Sequence, residues 1–290
     1  MKFKGLPKLS SRAIAINAGA GLAIAAGFIN FAHSTFARPH FELCTSRYNR
    51  QIAMSLDKDG KPLSPADVQA VSNGLDEGVL ENLSIAAFNG GPTKYAMGIK
   101  LAENSVEQRS GRGEPGGISL PWAPSTIEQP QAACLSYNIF LPADFEFGAG
   151  GTLPGLFGTK INGQYGDTPS FQAQLIWHAG GVPKFHLKTQ SETDNRAIAF
   201  KAYERVLPRG RWFRVDQEVV LNTPKQADGI ARLWLDGKLE IEVKAVDMRD
   251  DANMAISGAA GDVFFGGSGT HGKASKEAVV WLSPFELRWK

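Results

Sequence analysis

Hydrophobic and polar residues alternate with a period of two along most of the chain beyond residue 79, and this pattern predicts β-strands. In Phe171–His178, for example, one face is apolar and the other carries Gln172, Gln174 and His178. Glycine and other turn residues separate such runs at short spacing. The remaining predicted strands are Tyr95–Leu101, Cys134–Leu141, Pro183–Thr189, Trp212–Leu221, Ile230–Leu235, Lys238–Val246, Asp262–Phe265 and Val279–Trp289.

Helix signals are rare outside the first residues. Ser64-Pro65-Ala66-Asp67 has the residue types of a helix start, which predicts one short helix to about Asn73. Residues 110–130 suggest a long surface loop, and the glycines of Gly148–Gly151 suggest a turn. At least eight strands with almost no helix indicate the all-β class, and we predict a concanavalin-like jelly-roll β-sandwich.

The first 37 residues have the pattern of an export signal. A start with four Lys and Arg residues precedes the apolar run Ala13–Phe31, and Thr35-Phe36-Ala37 offers small residues for cleavage. A retained membrane anchor is the alternative. Cleavage would leave residues 38–290 as a single domain, secreted or periplasmic, without a membrane contact.

Three further expectations concern charge, oligomeric state and cysteines. The net charge of +2 includes the four cations of the export signal, so the mature chain has no electrostatic footprint for nucleic acid. We expect a monomer. Export favours a disulfide between Cys44 and Cys134, with two unpaired thiols as the alternative.

The polar residues of two neighbouring strands form a candidate site. If Phe171–His178 and Pro183–Thr189 pair as a hairpin, their polar faces coincide. The combined band holds amides, imidazoles and an ammonium, which suits a carbohydrate groove; an ordinary solvated sheet face is the alternative. Its members are Gln172, Gln174, His178, His186 and Lys188.

Four stretches resemble family 14 of the polysaccharide lyases: Gly150–Gly158, Phe171–Trp177, Trp212–Gly237 and Phe264–Ser268. The resemblance implies a jelly roll that cuts alginate and related acidic polysaccharides by β-elimination. It implies no organic cofactor and no obligatory metal.

The positions that carry the chemistry in the family are substituted in this chain. The resemblance implies a Lys before Leu-Pro-Gly, where Thr152 stands. It implies a Ser and an Arg where Gln172 and Gln174 stand, and two Tyr where His186 and Lys188 stand. All five positions differ, although the replacements are polar.

β-Elimination needs a group that neutralises the uronate carboxylate, a base for the C5 proton and an acid for O4. Gln172 or Gln174 could hold the carboxylate, His186 could be the base, and Lys188 could bind the acid group or act as base. Further substrate-binding candidates are Thr152, Lys160, His178 and Ser268.

Other chemistries have weaker support in the sequence. Ser268 and His271 lack an acid partner for a hydrolase triad. His178, His186 and His271 match no metal-ligand spacing, so we expect no metal site. Further candidates are Trp122 and Trp212 for sugar stacking, and Asp216 and Glu218 as a glycosidase pair.

The first hypothesis is therefore an exported polysaccharide lyase-like protein that acts on an acidic polysaccharide. A non-catalytic glycan-binding or envelope protein on the same fold is the second. A lectin-like protein for neutral sugars is the third, and an aromatic groove would favour it.

Overall fold

Strands make up most of the described structure. The computed structural model describes residues 42–72, 77–106, 114–161, 171–189, 197–201, 205–266 and 273–290. Its helices are α1 (Pro65–Ser72) and α2 (Val79–Asn82), with single 3-10 turns at Cys44–Ser46 and Ala179–Gly181. Its strands are β1 (Arg50–Ala53), β2 (Asp57–Lys58), β3 (Lys61–Pro62), β4 (Leu83–Ala87), β5 (Tyr95–Leu101), β6 (Ser105–Val106), β7 (Glu114–Pro115), β8 (Pro121–Trp122), β9 (Ala132–Phe140), β10 (Gly150–Lys160), β11 (Phe171–His178), β12 (Val182–Thr189), β13 (Ala197–Lys201), β14 (Trp212–Val220), β15 (Gly229–Leu235), β16 (Lys238–Val246), β17 (Met254–Ala260), β18 (Phe264–Phe265), β19 (Ala278–Leu282) and β20 (Glu286–Trp289).

Two antiparallel sheets enclose the hydrophobic core. Within the described ranges, the back sheet has nine strands. Seven of them follow the order β16-β15-β14-β9-β19-β5-β4, β20 pairs with β9, and β1 pairs with β20. The front sheet has seven strands there, in the order β13-β12-β11-β10-β17-β8, with β18 paired to β10. Leu43–Lys290 form one compact unit. The predicted all-β jelly-roll sandwich is confirmed.

The helix predicted at Ser64 is present as α1. The backbone N–H of Asp67 donates to Ser64 Oγ at 3.2 Å, and the N–H of Ser64 donates to Asp67 Oδ2 at 2.9 Å. This reciprocal cap satisfies two backbone donors at the helix start. Helix α2, of four residues, was not predicted. Over the part of the chain that the structure describes, every helix is too short or too polar to cross a membrane.

One strand prediction and one loop prediction need correction. The run predicted as one strand at Val279–Trp289 is two, because the chain turns at Ser283-Pro284 between β19 and β20 and proline has no N–H for a ladder. The expected loop at residues 110–130 contains the short strands β7 and β8.

The glycines of Gly148–Gly151 are only partly a turn, because β10 begins at Gly150. A Cβ on Gly151 would lie 2.2 Å from the Trp177 ring, so this strand position accepts only glycine without a shift of the ring or backbone. Strand β10 was missed because its glycines break the alternation of polar and apolar side chains.

Strand β10 also contains a β-bulge. Thr152 and Gly155 lie opposite Ile176 and Gln174 of β11, so two residues of β10 face a single residue of β11. The inward-outward alternation therefore shifts by one position after the bulge. As a result, Thr152 and Gly155 belong to the same side of the front sheet although they are three residues apart.

The back sheet supplies the hydrogen bonds for the Pro154 carbonyl, which lies in the bulge. The Tyr137 hydroxyl donates to this oxygen at 2.6 Å, and Gln217 Nε2 donates to it at 2.7 Å. Gln217 Nε2 also lies 3.1 Å from the Tyr137 oxygen. Burial raises the pKa of Tyr137 well above its usual value, so the hydroxyl keeps the proton that it donates. These contacts join β9 and β14 to β10 across the core.

The described N-terminal end lies on the outer side of the back sheet. Cys44 and Cys134 form the expected disulfide, with Cα atoms 5.6 Å apart. They are separated by 90 residues in sequence. For a loop of this length the chain-entropy account gives a stabilisation of about 4–5 kcal/mol.

Two carboxylates of the back sheet are buried and fully paired. Glu218 accepts hydrogen bonds from Arg47 at 2.8 Å, from the Tyr48 hydroxyl at 2.8 Å and from Arg232 at 2.5 Å. Asp216 is bonded by Arg214 and Ser136. Removing one partner of such a buried pair leaves an uncompensated charge, so both carboxylates are parts of the scaffold.

We predict that the two donors to the Pro154 carbonyl are energetically coupled. Gln217→Met or Tyr137→Phe should lower the free energy of unfolding by about 1–2 kcal/mol, because one donor remains in each variant. The double variant should lose more free energy of unfolding than the two single variants lose together, because it leaves a buried carbonyl without a donor. Urea unfolding followed by tryptophan fluorescence measures all three variants.

The control for this series is Gln226→Met, at an exposed position. It should change the free energy of unfolding by less than about 0.5 kcal/mol. Strict additivity of the Gln217 and Tyr137 substitutions would contradict the coupling.

Candidate functional site

Strands β11 and β12 form the hairpin that the sequence predicts around Ala179–Gly181. Gln172 lies opposite Lys188, and Gln174 lies opposite His186. The alternate residues of both strands belong to the core, so these four side chains share the side of the front sheet that faces away from it. We call this side the site face.

Strand β10 adds Thr152 and Phe157 to the site face. Thr152 is only 1% exposed, and its hydroxyl donates to the Gly266 carbonyl at 3.2 Å. Phe157 lies opposite Gln172 and is buried, outside the core cluster. The Thr152 hydroxyl, a predicted substrate ligand, is therefore already engaged within the protein.

His186 is buried on the site face. It is 2% exposed, and within the described structure neither Nδ1 nor Nε2 has a hydrogen-bond partner. Burial, and secondly the charge of Lys188, lower the pKa of His186 from 6.5 to about 4. The imidazole is therefore neutral at pH 7, with one N–H donor and one free lone pair.

His186 points away from the core, as the alternation predicts, but its side chain is buried. Strand β13 pairs with the other edge of β12, and its Ala199 lies opposite His186. The histidine consequently lies within the sheet and not at its rim. Alternation along the sequence predicts which way a side chain points, but not what lies over it.

A buried carboxylate lies beside Gln174, and the sequence analysis did not identify it as a site residue. Gln174 Nε2 donates to Asp262 Oδ2 at 2.6 Å, and Ser119 Oγ donates to Asp262 Oδ1 at 2.6 Å. Gln174 and Asp262 are 3% and 7% exposed. The amide nitrogen of Gln174 is turned toward Asp262, which directs its carbonyl oxygen the other way. The available signal was an acid among small apolar residues, Ala259-Ala260-Gly261.

Two lysines of β12 flank His186. Lys188 is exposed and Lys184 is half-buried, each two residues from the histidine. Neither forms an ion pair or a side-chain hydrogen bond with a described residue. Their ammonium groups are therefore open to an anionic ligand. His178, at the end of β11, is half-buried and lies on the same side.

Other predicted substrate ligands are not brought to this group. Lys160 ends β10 on the same side as Gly158, where a Cβ would meet the Phe171 ring of the core. It is exposed, but it lies on the opposite side of the strand from Phe157 and Gln172. Ser268 lies outside the described residues, as do His271 and the predicted export signal.

The alternative site residues occupy other parts of the fold. Trp122 is buried in the core. Trp212 lies on the back sheet, where its ring packs against Phe88 and Phe140. The carboxylate pair considered for a glycosidase is the fully paired Asp216 and Glu218 of the back sheet.

The groups that meet on the site face suit a polar, partly anionic ligand. Lys188 and Gln172 lie opposite each other and can bind a carboxylate together. The neutral imidazole of His186 can accept a proton or hydrogen-bond a hydroxyl. No cluster of three or more His, Cys, Asp or Glu residues that could hold a metal ion occurs within the described ranges.

We predict that His186 lowers the free energy of unfolding as the pH falls. Its pKa is lower in the folded state than its ordinary value of 6.5, so the unfolded state takes up the proton first as the pH falls. The folded state should lose roughly 3 kcal/mol relative to the unfolded state between pH 6.5 and about 4. His186→Leu should remove this part of the pH dependence and should unfold no more easily than the parent at pH 7, because it replaces two unpartnered polar atoms.

Urea unfolding at a series of pH values measures the difference between the parent and His186→Leu. Gln172→Leu, on the same face but without a titrating group, is the control and should keep the parent's pH dependence. Parallel curves for the parent and His186→Leu would show that the histidine titrates normally.

Comparisons with known proteins agree with this architecture. The sequence profile of polysaccharide lyase 14 matches residues 91–285. A comparison with curated protein sequences gives no match. The family 14 alginate lyase of Aplysia kurodai has a similar structure, with a TM-score of 0.62 and 22% identity over 74% of this chain and 89% of that chain.

Two further solved structures share the fold. Alginate lyase vAL-1 from Chlorella virus has a TM-score of 0.56 and 19% identity, over 72% of this chain and 89% of that chain. Alginate lyase Aly36B has a TM-score of 0.60 and 14% identity, over 83% of this chain and 98% of that chain. A variant of Aly36B is in complex with an alginate trisaccharide. The profile match spans well over half of the sequence, so the chain belongs to polysaccharide lyase family 14.

Proposed function

We propose that this protein is an exported lyase that cleaves a uronate-containing polysaccharide by β-elimination on the site face. The observation that carries the proposal is the pairing of β11 with β12, which brings Gln172 and Lys188 beside Gln174 and His186. Membership of the lyase family and the likeness to alginate lyases support the substrate class.

In the proposed reaction, Lys188 and Gln172 bind the uronate carboxylate. Neutralising that carboxylate stabilises the negative charge that develops when the C5 proton leaves. His186 takes this proton, the C4–C5 double bond forms, and the C4–O4 bond breaks. The imidazolium just formed then donates a proton to O4 of the leaving sugar, so no other reactant is required.

The state of His186 fits the role of a base in one respect and limits it in another. A pKa of about 4 leaves the imidazole unprotonated at pH 7, ready to accept a proton. The same low pKa makes it a weak base, and a bound carboxylate would raise the pKa toward neutrality. Both ring nitrogens are buried, so substrate binding must uncover them.

The second candidate function is a glycan-binding or envelope protein without chemistry. The hydrogen bond from Gln174 to Asp262 favours it, because an amide nitrogen held by a carboxylate is less available to neutralise a substrate. The resemblance implies other residues at the five lyase positions, and their substitution in this chain favours it as well. Binding without bond cleavage is the outcome that separates it from the first.

The export signal expected in residues 1–37 supports an activity outside the cytoplasm, secreted or periplasmic. The disulfide between Cys44 and Cys134 supports that compartment, because disulfides persist where the environment is oxidising. We propose that the mature protein acts as a monomer.

We predict that the purified protein raises the absorbance at about 235 nm on at least one polyuronate, because β-elimination forms a conjugated C4–C5 double bond. The panel is alginate, glucuronan, pectate and an acidic exopolysaccharide. His186→Leu should lower kcat/KM by at least about 100-fold, the usual contribution of a positioned acid or base. Lys188→Met should lower it by about 100-fold through loss of charge stabilisation.

The matched control is Lys160→Met, which removes an exposed lysine of the same sheet that does not face the site. It should leave kcat/KM unchanged. Full activity in His186→Leu would refute the assignment of the base. Binding of a polysaccharide by calorimetry without any rise in absorbance would replace the lyase with the binding protein.

A further inference from the structure

One edge of the site face carries a regular series of charged and uncharged groups. Lys184, His186 and Lys188 stand at every second position of β12 and so point the same way. A strand advances about 3.4 Å per residue, so the two lysines are anchored about 14 Å apart with the histidine midway. A ligand that lies along β12, and whose binding uncovers the buried His186, therefore meets a cation, an uncharged group and a cation in turn.

Both ends of this series can bind an anion. Lys184 and Lys188 have no carboxylate partner among the described residues. Beside Lys188, the amide of Gln172 can give a second hydrogen bond to the same carboxylate. Charge-assisted hydrogen bonds of this kind are stronger than neutral ones.

The middle of the series suits an uncharged sugar. His186 stays neutral because burial lowers its pKa, and its two ring nitrogens have no partner within the described structure. Opposite it, Gln174 turns its amide nitrogen to Asp262, so its carbonyl oxygen is the atom left for a ligand. A carboxylate here would lose its water without gaining a cation and would meet that oxygen. A hydroxyl or acetamido group can donate to one partner and accept from the other.

We infer that the site face recognises a polysaccharide in which a uronate alternates with an uncharged sugar. Carboxylates would bind at Lys184 and Lys188, and the uncharged sugar would lie over His186 and Gln174. This inference rests on the proposed binding of an acidic polysaccharide and narrows the class of polysaccharide that is bound. A polymer of uronates alone would place a carboxylate at the uncharged middle.

The test measures by calorimetry the affinity of the whole purified protein for oligosaccharides of equal length, all at one salt concentration. Hyaluronan and heparosan fragments alternate glucuronate with N-acetylglucosamine, whereas glucuronan and alginate fragments contain uronates alone. At least one alternating fragment should bind about tenfold more tightly than both homopolymer fragments, the equivalent of one charged hydrogen bond.

Variants of the two lysines test the positions. Lys184→Met and Lys188→Met should each weaken binding of the alternating fragment by about tenfold. Lys160→Met should bind as the parent does. Unchanged affinity in Lys184→Met, or equal affinity for homopolymer and alternating fragments, would overturn the inference.

Absorbance at about 235 nm, measured in the same mixtures, reports cleavage separately from binding. It therefore distinguishes failure of this inference from failure of the proposed reaction. Cleavage of a homopolymer without tighter binding of either alternating fragment overturns the inference and leaves the lyase in place. Tighter binding of an alternating fragment without a rise in absorbance upholds the inference and removes the β-elimination. Absence of binding to every fragment overturns both.

Discussion

The Pro154 carbonyl and its two donors fix how the front sheet meets the back sheet. A bulge in β10 takes this oxygen out of the strand ladders, and a buried carbonyl without a partner would cost about 1–3 kcal/mol. Tyr137 and Gln217 supply its hydrogen bonds from the opposite sheet. Hydrophobic contacts tolerate sliding, but hydrogen bonds to one carbonyl oxygen do not. This contact therefore holds the bulge, and with it the side of the sheet to which each later residue of β10 belongs.

The bulge explains which residues reach the site face. Lys160 stands eight residues after Thr152, an even spacing that would put both side chains on one side of a regular strand. The extra residue in β10 reverses the alternation, so Lys160 lies on the other side from Thr152. Sequence reasoning could not foresee this, because Leu-Pro-Gly within a glycine-rich run gives no alternation to count. The donor Gln217 is 63 residues away from the carbonyl that it binds.

Where side chains alternate cleanly, the sequence was sufficient. The hairpin of β11 and β12 and the shared side of Gln172 and Lys188 follow from period-two patterns and a glycine turn. The burial of His186 and the bond from Gln174 to Asp262 do not, because alternation does not show what covers a side chain, and Asp262 is 88 residues from Gln174 in sequence. Local patterns determine direction, whereas exposure and partners are properties of the assembled sheets.

The buried titratable groups of the back sheet and of the site face differ in their hydrogen bonding. The carboxylates of Asp216 and Glu218 are as buried as His186, but each is surrounded by donors that compensate its charge. On the site face, His186 has two polar atoms without partners, and Lys188 has no counter-ion among the described residues. A buried polar group without a partner lowers stability, so the burial of an unpartnered His186 supports the binding role proposed for the site face. Replacement of His186 should therefore cost little stability, the reverse of what loss of Glu218 would do, so that a loss of activity would report on the role proposed for the histidine.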